Sequence, residues 1–129
     1  APMALTVAVS AAQAVERIGM PEAQIILSQA VLYVATAPKS NSATNAIFGA
    51  MENVKSQKTS VPAHLQDAHY KGAKNLGHGI GYKYAHDYPH HYVKQQYLPE
   101  EIKDARFYEP GDNGKEKEIK EWMEYLKKG

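Results

Sequence analysis

Residues 4–36 read ALTVAVSAAQAVERIGMPEAQIILSQAVLYVAT, and this stretch decides the fold. In its first part the polar residues recur at intervals of four, three and four, which leaves one narrow polar stripe on an otherwise apolar helix. The stripe consists of Thr6, Ser10, Gln13 and Arg17. We therefore predict a helix from Ala4 to Ile18 that ends at Gly19 in a left-handed C-cap.

The second part predicts another helix, from about Pro21 to Thr36, that is apolar on nearly all sides. Proline suits the first turn of a helix, and Glu22 favours the positive end of the helix dipole. Helices as apolar as these two are normally covered on most sides by neighbours or by another subunit.

A third helix is predicted after Pro38. Ser40, Asn41 or Ser42 can cap it, and small apolar residues then recur at the spacing of one helix face. These residues are Ala43, Ala46, Ile47, Ala50, Met51 and Val54. Three helices with short links predict an orthogonal or antiparallel bundle.

Residues 115–128 predict a charged helix with one apolar stripe. The stripe consists of Ile119, Trp122, Met123 and Leu126. Two ion pairs one turn apart are expected to stabilise it. They are Glu116–Lys120 and Glu124–Lys128. Prolines and glycines permit only short helices before it, such as one at residues 99–105.

The composition changes near residue 60, because all six histidines and eight of the nine tyrosines follow residue 63. We predict an all-α fold of one structural unit. Residues 1–60 form its helical oligomerisation core. Residues 61–129 form a tail packed on that core, with an irregular Tyr/His-rich segment and a C-terminal helix.

The overall composition excludes several classes of protein. A chain of 129 residues fits one domain, and a net charge of +1 implies no particular partner. The absence of cysteine excludes disulfide frameworks, thiolate zinc sites and cysteine nucleophiles. No apolar run reaches the roughly 20 residues of a membrane span, and the first residues lack the basic region of a signal peptide. We expect the chain to be a fragment of a larger protein.

Glycines cluster at residues 77–81, which read GHGIG. A phosphate-binding loop needs Gly-Lys-Ser/Thr after a strand and before a helix, and none of these features is present. The cluster therefore predicts a tight loop rather than a nucleotide site. No serine lies in a Gly-x-Ser-x-Gly elbow. We predict no catalytic residue and no cofactor site.

The histidines fall within 28 residues and raise the question of a metal. His86 and His90 have the spacing of a helical ligand pair, but Pro89 interrupts that helix. We predict no bound metal, and a metal-dependent hydrolase is a distant alternative.

Residues 69–97 contain four lysines, six tyrosines and only one acidic residue. Lysines can contact phosphates and exposed tyrosines can stack on unpaired bases, as in single-strand binders. The alternative, which we favour, is that the tyrosine rings pin irregular chain to the helical core. The candidate DNA-contacting residues are Lys71, Lys74, Lys83, Lys94, Tyr82 and Tyr88.

Several segments together resemble the C-terminal region of the RarA/MgsA family of AAA+ ATPases. Among them are AVERIGMPEA at residues 14–23 and VPAHLQDAHYKGAK at residues 61–74. The others are residues 28–31, 35–42, 77–79, 82–84, 86–89, 95–99 and 106–110. The resemblance covers essentially the whole chain. Thr44 departs from it, because a larger, usually aromatic residue is expected there.

The resemblance implies a replication-associated recombination factor related to clamp loaders and to the Werner helicase-interacting ATPase. It implies a helical domain like the clamp-loader collar that mediates tetramer formation, with the ATP- and Mg-binding motifs of the parent protein lying upstream. It also implies work at DNA with single-strand-binding protein, in the cytoplasm at the nucleoid and not at a membrane.

The sequence therefore favours a non-catalytic oligomerisation domain from a RarA/MgsA-like DNA-dependent ATPase that acts in DNA replication, recombination and repair. Its expected partners are itself, as a homotetramer, and the upstream ATPase domain. The alternative function is a nucleic-acid-binding module that acts through residues 69–97.

Overall fold

The computed structural model describes all 129 residues, Ala1–Gly129, and the all-α prediction is confirmed. Its four α-helices are α1 (Ala4–Ile18), α2 (Ala23–Thr36), α3 (Ser42–Ser56) and α4 (Lys115–Lys128). Short 3-10 helices lie between α3 and α4, at Ala63–Leu65, Ala73–Leu76, Ala85–Asp87, Pro89–His91 and Glu100–Ile102. There is no β-strand. None of the helices combines the length and apolar character needed to cross a bilayer.

The helix bounds agree with the sequence at α1 and α4, and α3 contains the residues predicted for it, Ala43 to Val54. Helix α2 begins at Ala23 rather than Pro21, after a turn in which the Ala23 amide donates to the Gly19 carbonyl at 2.9 Å. Gly19 has φ 75° but ψ 178°, so the predicted left-handed C-cap is wrong and the residue adopts an extended conformation open almost only to glycine. The helix expected at residues 99–105 is reduced to a single 3-10 turn.

The chain forms two compact units. The first unit comprises Ala1–Asn41 and Pro110–Trp122, and the second comprises Ser42–Glu109 and Met123–Gly129. This division differs from the predicted boundary near residue 60, because α3 belongs to the second unit and α4 contributes residues to both. The packing of a tail on a core as one unit stays a prediction.

In the first unit, α1 and α2 form an antiparallel pair. The amino group of Ala1 donates to the Pro38 carbonyl at 3.2 Å, so the start of α1 lies beside the end of α2. The helices pack through small side chains, and Ala11 and Ala30 both line the shallow groove between them. Ala23 is completely buried. Alanines at these positions allow the two helices to approach closely.

Most of the apolar surface of this pair remains exposed. Leu5 and Ile25 are each 75% exposed and Leu32 is 61% exposed. The accessible surface of the whole chain is 10181 Å². A compact monomer of 14.3 kDa exposes roughly 6,800 Å², and two separate compact units of that total mass about 8,200 Å². The chain therefore exposes more surface than one compact unit or two separate compact units of the same total mass.

A hydrogen-bonded cluster in the first unit joins the end of α2 to the start of α4. The Lys39 ammonium caps α2 by donating to the carbonyls of Ala35 and Ala37, at 3.3 and 2.7 Å. The Glu116 carboxylate accepts from the Ser40 hydroxyl at 2.8 Å and from the Gly111 amide at 2.9 Å. Residues 35–42 therefore end α2 and also hold the start of α4 in place.

Two further contacts stabilise the same cluster. Pro38 packs so closely on Gly114 that a Cβ atom there would lie 2.9 Å from the proline ring. The Lys120 ammonium donates to the Asp112 carboxylate at 2.8 Å, and this hydrogen bond holds the pKa of Asp112 below its usual value.

In the second unit, the glycine-rich residues 77–81 form a tight loop. Gly79 has φ 72°, and its amide donates to the Ala63 carbonyl at 2.9 Å. His78 shares a hydrogen bond with the Tyr70 hydroxyl, and their rings meet edge to face. Each of these interactions is local, and each holds the loop in place.

Helix α3 contacts the segment that precedes Pro110. A Cβ atom on Gly49 would lie 3.7 Å from the Phe107 ring, so this ring packs on α3 at its glycine. Thr44, where a larger residue was expected, is exposed. The helix forms around it without interruption.

We predict that Gly79→Ala destabilises the protein by about 2–4 kcal/mol. The new Cβ would lie 2.6 Å from Ala68 Cβ, and the positive φ adds strain for any L side chain. Denaturant unfolding monitored by circular dichroism measures the change. Gly81→Ala is the matched control, because Gly81 has φ 81° but no atom near its Cβ position, and it should cost only about 1 kcal/mol. Equal losses for the two variants would contradict the steric argument.

Candidate nucleic-acid interface

The six candidate DNA-contacting residues do not form one site. Lys71 precedes the 3-10 helix Ala73–Leu76 and Lys74 lies within it, and both are exposed. Tyr82 is 50% exposed. The other three line a single groove of about 690 Å³ in the second unit. They are Lys83, Tyr88 and Lys94.

The groove, which we call the lysine–tyrosine groove, draws on two separate parts of the sequence. Residues 88–94 line one part of it, and the last turn of α4 lines another. The full lining is Lys83, Tyr88, Pro89, His90, Tyr92, Val93, Lys94, Tyr125, Leu126, Lys128 and Gly129. Val93 is the one large hydrophobic side chain in the chain that is buried. Tyr125 and Lys128 could not be assigned to this groove from the sequence, because more than thirty residues separate them from Lys94.

The wall at residues 88–94 follows from an unusual backbone turn. His90 and His91 both have positive φ, at 57° and 53°, directly after Pro89. Non-glycine residues rarely adopt this conformation, so the surroundings must hold it. The His91 imidazole lies 3.3 Å from that of His86, and His90 Nε2 lies 3.3 Å from the Tyr125 hydroxyl. The second contact fixes the turn against the end of α4.

Gln95 positions the backbone of Lys83. Its amide oxygen accepts from the Lys83 N–H at 3.1 Å, and its amide nitrogen donates to the Lys83 carbonyl at 2.8 Å. The side chain therefore pairs with this residue as a neighbouring β-strand would. The same amide nitrogen also donates to the Tyr97 hydroxyl at 3.0 Å. The role of Gln95 was invisible in the sequence, since its partner lies twelve residues away.

The charged side chains that line the groove are lysines. The ammonium groups of Lys83, Lys94 and Lys128 form no ion pair, and no Asp or Glu side chain lines the groove. The predicted Glu124–Lys128 pair does not form, which leaves Lys128 free for the groove. Carboxyl groups with shifted pKa values lie elsewhere. One of these groups is Glu100, whose pKa is lowered by a hydrogen bond from Lys103.

The tyrosine rings in this part of the chain are not held in a core. Tyr88 is 38% exposed, and Tyr82, Tyr92 and Tyr97 are exposed as well. The favoured interpretation, that these rings pin irregular chain to the core with their hydroxyl groups in solvent, stays a prediction. Stacking on unpaired bases stays the alternative.

The histidines hold each other and the backbone rather than converging on one point. His64 Nε2 donates to the Gln96 carbonyl at 2.7 Å, and His69 shares a hydrogen bond with Asp67. This bond, with one from the His69 amide, lowers the pKa of Asp67. No three His, Cys, Asp or Glu side chains lie close enough together to hold a metal ion.

Known proteins resemble the chain along almost its entire length. The protein family described as MgsA AAA+ ATPase C terminal matches residues 1–127. An AAA domain-containing protein of Mycobacterium tuberculosis is 54% identical over 119 residues, which are 92% of this chain and 26% of that protein. Replication-associated recombination protein A of Bacillus subtilis is 50% identical over 82% of this chain and 25% of its own length.

A eukaryotic protein is also similar. The ATPase WRNIP1 of Dictyostelium discoideum is 40% identical over 82% of this chain and 12% of its own length. The chain thus spans about a quarter, or less, of the length of these relatives.

We predict that Gln95→Ala lowers the free energy of unfolding by about 1–3 kcal/mol, because it leaves the Lys83 amide and carbonyl without their partners. Hydrogen exchange followed by NMR should show faster exchange at the Lys83 amide. Gln57→Ala is the control, because its side chain makes one long hydrogen bond, 3.4 Å to Asn53, and its loss should change little. If the Lys83 amide exchanges at an unchanged rate in Gln95→Ala, the pairing does not contribute to stability.

Proposed function

The chain belongs to the MgsA AAA+ ATPase C-terminal family, and from that premise we propose that it is the non-catalytic oligomerisation domain of a RarA/MgsA-like ATPase. The parent protein acts in DNA replication, recombination and repair. The name of the Bacillus subtilis relative, replication-associated recombination protein A, supports this role.

The observation that carries the oligomerisation role is the exposed apolar surface of α1 and α2. Eleven large hydrophobic residues between Met3 and Val34 are exposed, Leu5 and Ile25 most of all. Burying a leucine or isoleucine side chain contributes about 1.5–3 kcal/mol, so leaving these residues in water forfeits most of that stabilisation. A surface of this kind marks an interaction site, and a symmetric homo-oligomer is the commonest way to cover it.

A second copy of the same chain is the proposed cover for this surface, and the family resemblance supplies the number four. The surplus accessible surface of about 2,000 Å² per chain reaches the size of interfaces in obligate assemblies. The upstream ATPase domain of the parent is the competing cover, since the chain spans about a quarter of the relatives.

Catalysis is assigned to the parent protein and not to this domain. The chain has no Gly-Lys-Ser/Thr loop, and Gly79 packs against Ala68 where a phosphate-binding loop would leave its backbone accessible. We propose that ATP and Mg bind in the upstream part of the parent protein. DNA and single-strand-binding protein are the proposed partners, in the cytoplasm at the nucleoid.

Nucleic-acid binding through residues 69–97 is the second candidate function. The observation that favours it is that three of the candidate residues meet in one groove with no carboxylate side chain. They are Lys83, Tyr88 and Lys94. It is compatible with oligomerisation, because the groove lies in the second unit and the exposed helices in the first.

We predict that Leu5→Glu combined with Leu32→Glu reduces the assembly to smaller species, because a charge placed in an apolar interface must be desolvated. Light scattering at tens of micromolar should give a tetramer mass for the unchanged protein and a lower mass for the variant. Circular dichroism should be unchanged, since both side chains are exposed within the chain.

The matched control is Gln13→Glu combined with Ser10→Glu, which adds the same charge on the polar stripe of α1 and should leave the mass unaltered. A monomeric mass for the unchanged full-length protein would overturn the oligomerisation role. If assembly survives in the leucine variant but limited proteolysis releases the ATPase domain, the apolar surface faces that domain instead.

We also predict that the isolated 129-residue chain neither binds nor hydrolyses ATP, whereas the full-length parent does both. The release of phosphate, with and without DNA, is the measurement. Turnover by the isolated chain that disappears in Lys83→Gln would contradict the assignment of catalysis to the upstream part.

A further inference from the structure

The lysine–tyrosine groove brings together ammonium groups and phenol rings from two segments of the chain. Its side chains supply three ammonium groups, from Lys83, Lys94 and Lys128. They also supply three phenol rings, from Tyr88, Tyr92 and Tyr125, all of them exposed. An acidic polymer needs only the ammonium groups, and an apolar peptide needs only the rings. A single nucleic-acid strand uses both, because it presents phosphates and unpaired bases side by side.

We propose that this groove binds a single nucleic-acid strand, with phosphates at the lysines and one or more bases stacked on the tyrosines. The proposal rests on the second candidate function, nucleic-acid binding, and it changes the residues that carry it. Lys71, Lys74 and Tyr82 are left out, and α4 contributes Tyr125 and Lys128.

The surroundings of the lysines make phosphate the fitting ligand. Lys83, Lys94 and Lys128 form no ion pair, so a phosphate does not have to displace a carboxylate to reach them. The nearest acidic neighbours in sequence, Asp87 and Glu124, do not line the groove. Three lysines that line one groove attract a polyanion.

The tyrosines make a single strand fit better than a duplex. In a duplex the bases are already stacked on each other, so they cannot stack on the tyrosine rings of the groove. In a single strand each unpaired base has a free face, and stacking on an aromatic side chain is tolerant of sequence. The tyrosine rings lie on walls fixed by local contacts, among them the His90–Tyr125 pair and the Gln95–Lys83 pairing. The site is therefore largely formed before the strand arrives.

The test is a fluorescence-anisotropy titration of the full-length protein with a labelled 20-nucleotide oligodeoxythymidine, repeated over a range of salt concentrations. Lys83→Gln combined with Lys94→Gln should weaken binding about fifteenfold at physiological salt and lower the slope of log K against log salt by about 1.4. Lys71→Gln combined with Lys74→Gln is the matched control. It removes the same charge from the same segment outside the groove and should change binding less than twofold.

The aromatic part of the site is tested with Tyr88→Leu, which should weaken binding about tenfold without changing the salt slope. Tyr82→Leu is its control, since this exposed ring lies outside the groove, and it should have little effect. Ultraviolet crosslinking of the same oligonucleotide, followed by mass spectrometry, should mark peptides that contain Tyr88, Tyr92 or Tyr125. A melting curve for each variant separates a loss of binding from a loss of fold.

The outcomes separate the groove from the wider function. Equal weakening by the two lysine pairs would keep nucleic-acid binding by residues 69–97 and reject the groove. Binding that no variant alters, with crosslinks only in the upstream part, would reject both. Polyglutamate of equal length should compete poorly. If it competes as well as the oligonucleotide and Tyr88→Leu has no effect, the groove binds acidic polymers by charge alone and the proposal is overturned.

Discussion

The close contact between α1 and α2 is the interaction on which the first unit depends, and it covers only a small part of either helix. Alanines such as Ala11, Ala23 and Ala30 let the helices approach, but small side chains bury little apolar area. Leu5 and Leu32 are large apolar side chains that stay exposed to solvent. Covering them with a further apolar surface would stabilise the protein. The same sequence feature that forms the hairpin therefore leaves the exposed surface on which the proposed oligomerisation rests.

The cluster around Pro38 shows how a short segment can organise distant parts of a chain. Lys39 ends α2 by capping its last carbonyls, and Ser40 reaches Glu116 at the start of α4. Pro38 can pack closely on residue 114 because that residue is glycine. The resemblance identified residues 35–42 as characteristic but gave no reason for their identity. The structure supplies one, since proline, lysine and serine each make a different contact within a few ångströms.

The sequence predicted the parts of the fold that local rules decide. The bounds of α1 and α4 follow from helical periodicity and from breakers next to each helix, and both agree with the structure. Other predictions failed where long-range contacts decide. Nothing local distinguishes Lys128, expected to pair with Glu124, from a lysine that lines a groove. The sequence predicted only one part of the groove. Residues 69–97 showed the right composition, but the contribution of α4 and the pairing of Gln95 with Lys83 required the three-dimensional fold.

The two functions that we propose would depend on different physical interactions, and this difference decides how conditions would act on them. Contacts between ammonium groups and phosphates weaken steeply with salt. Binding releases counterions from the strand, and a higher salt concentration makes that release less favourable. Apolar contacts between helices such as α1 and α2 are not screened, and excluded salts such as sulfate strengthen them. If both proposals hold, high salt should release the strand from the groove while the proposed assembly persists. The proposed assembly would then outlast each encounter with nucleic acid.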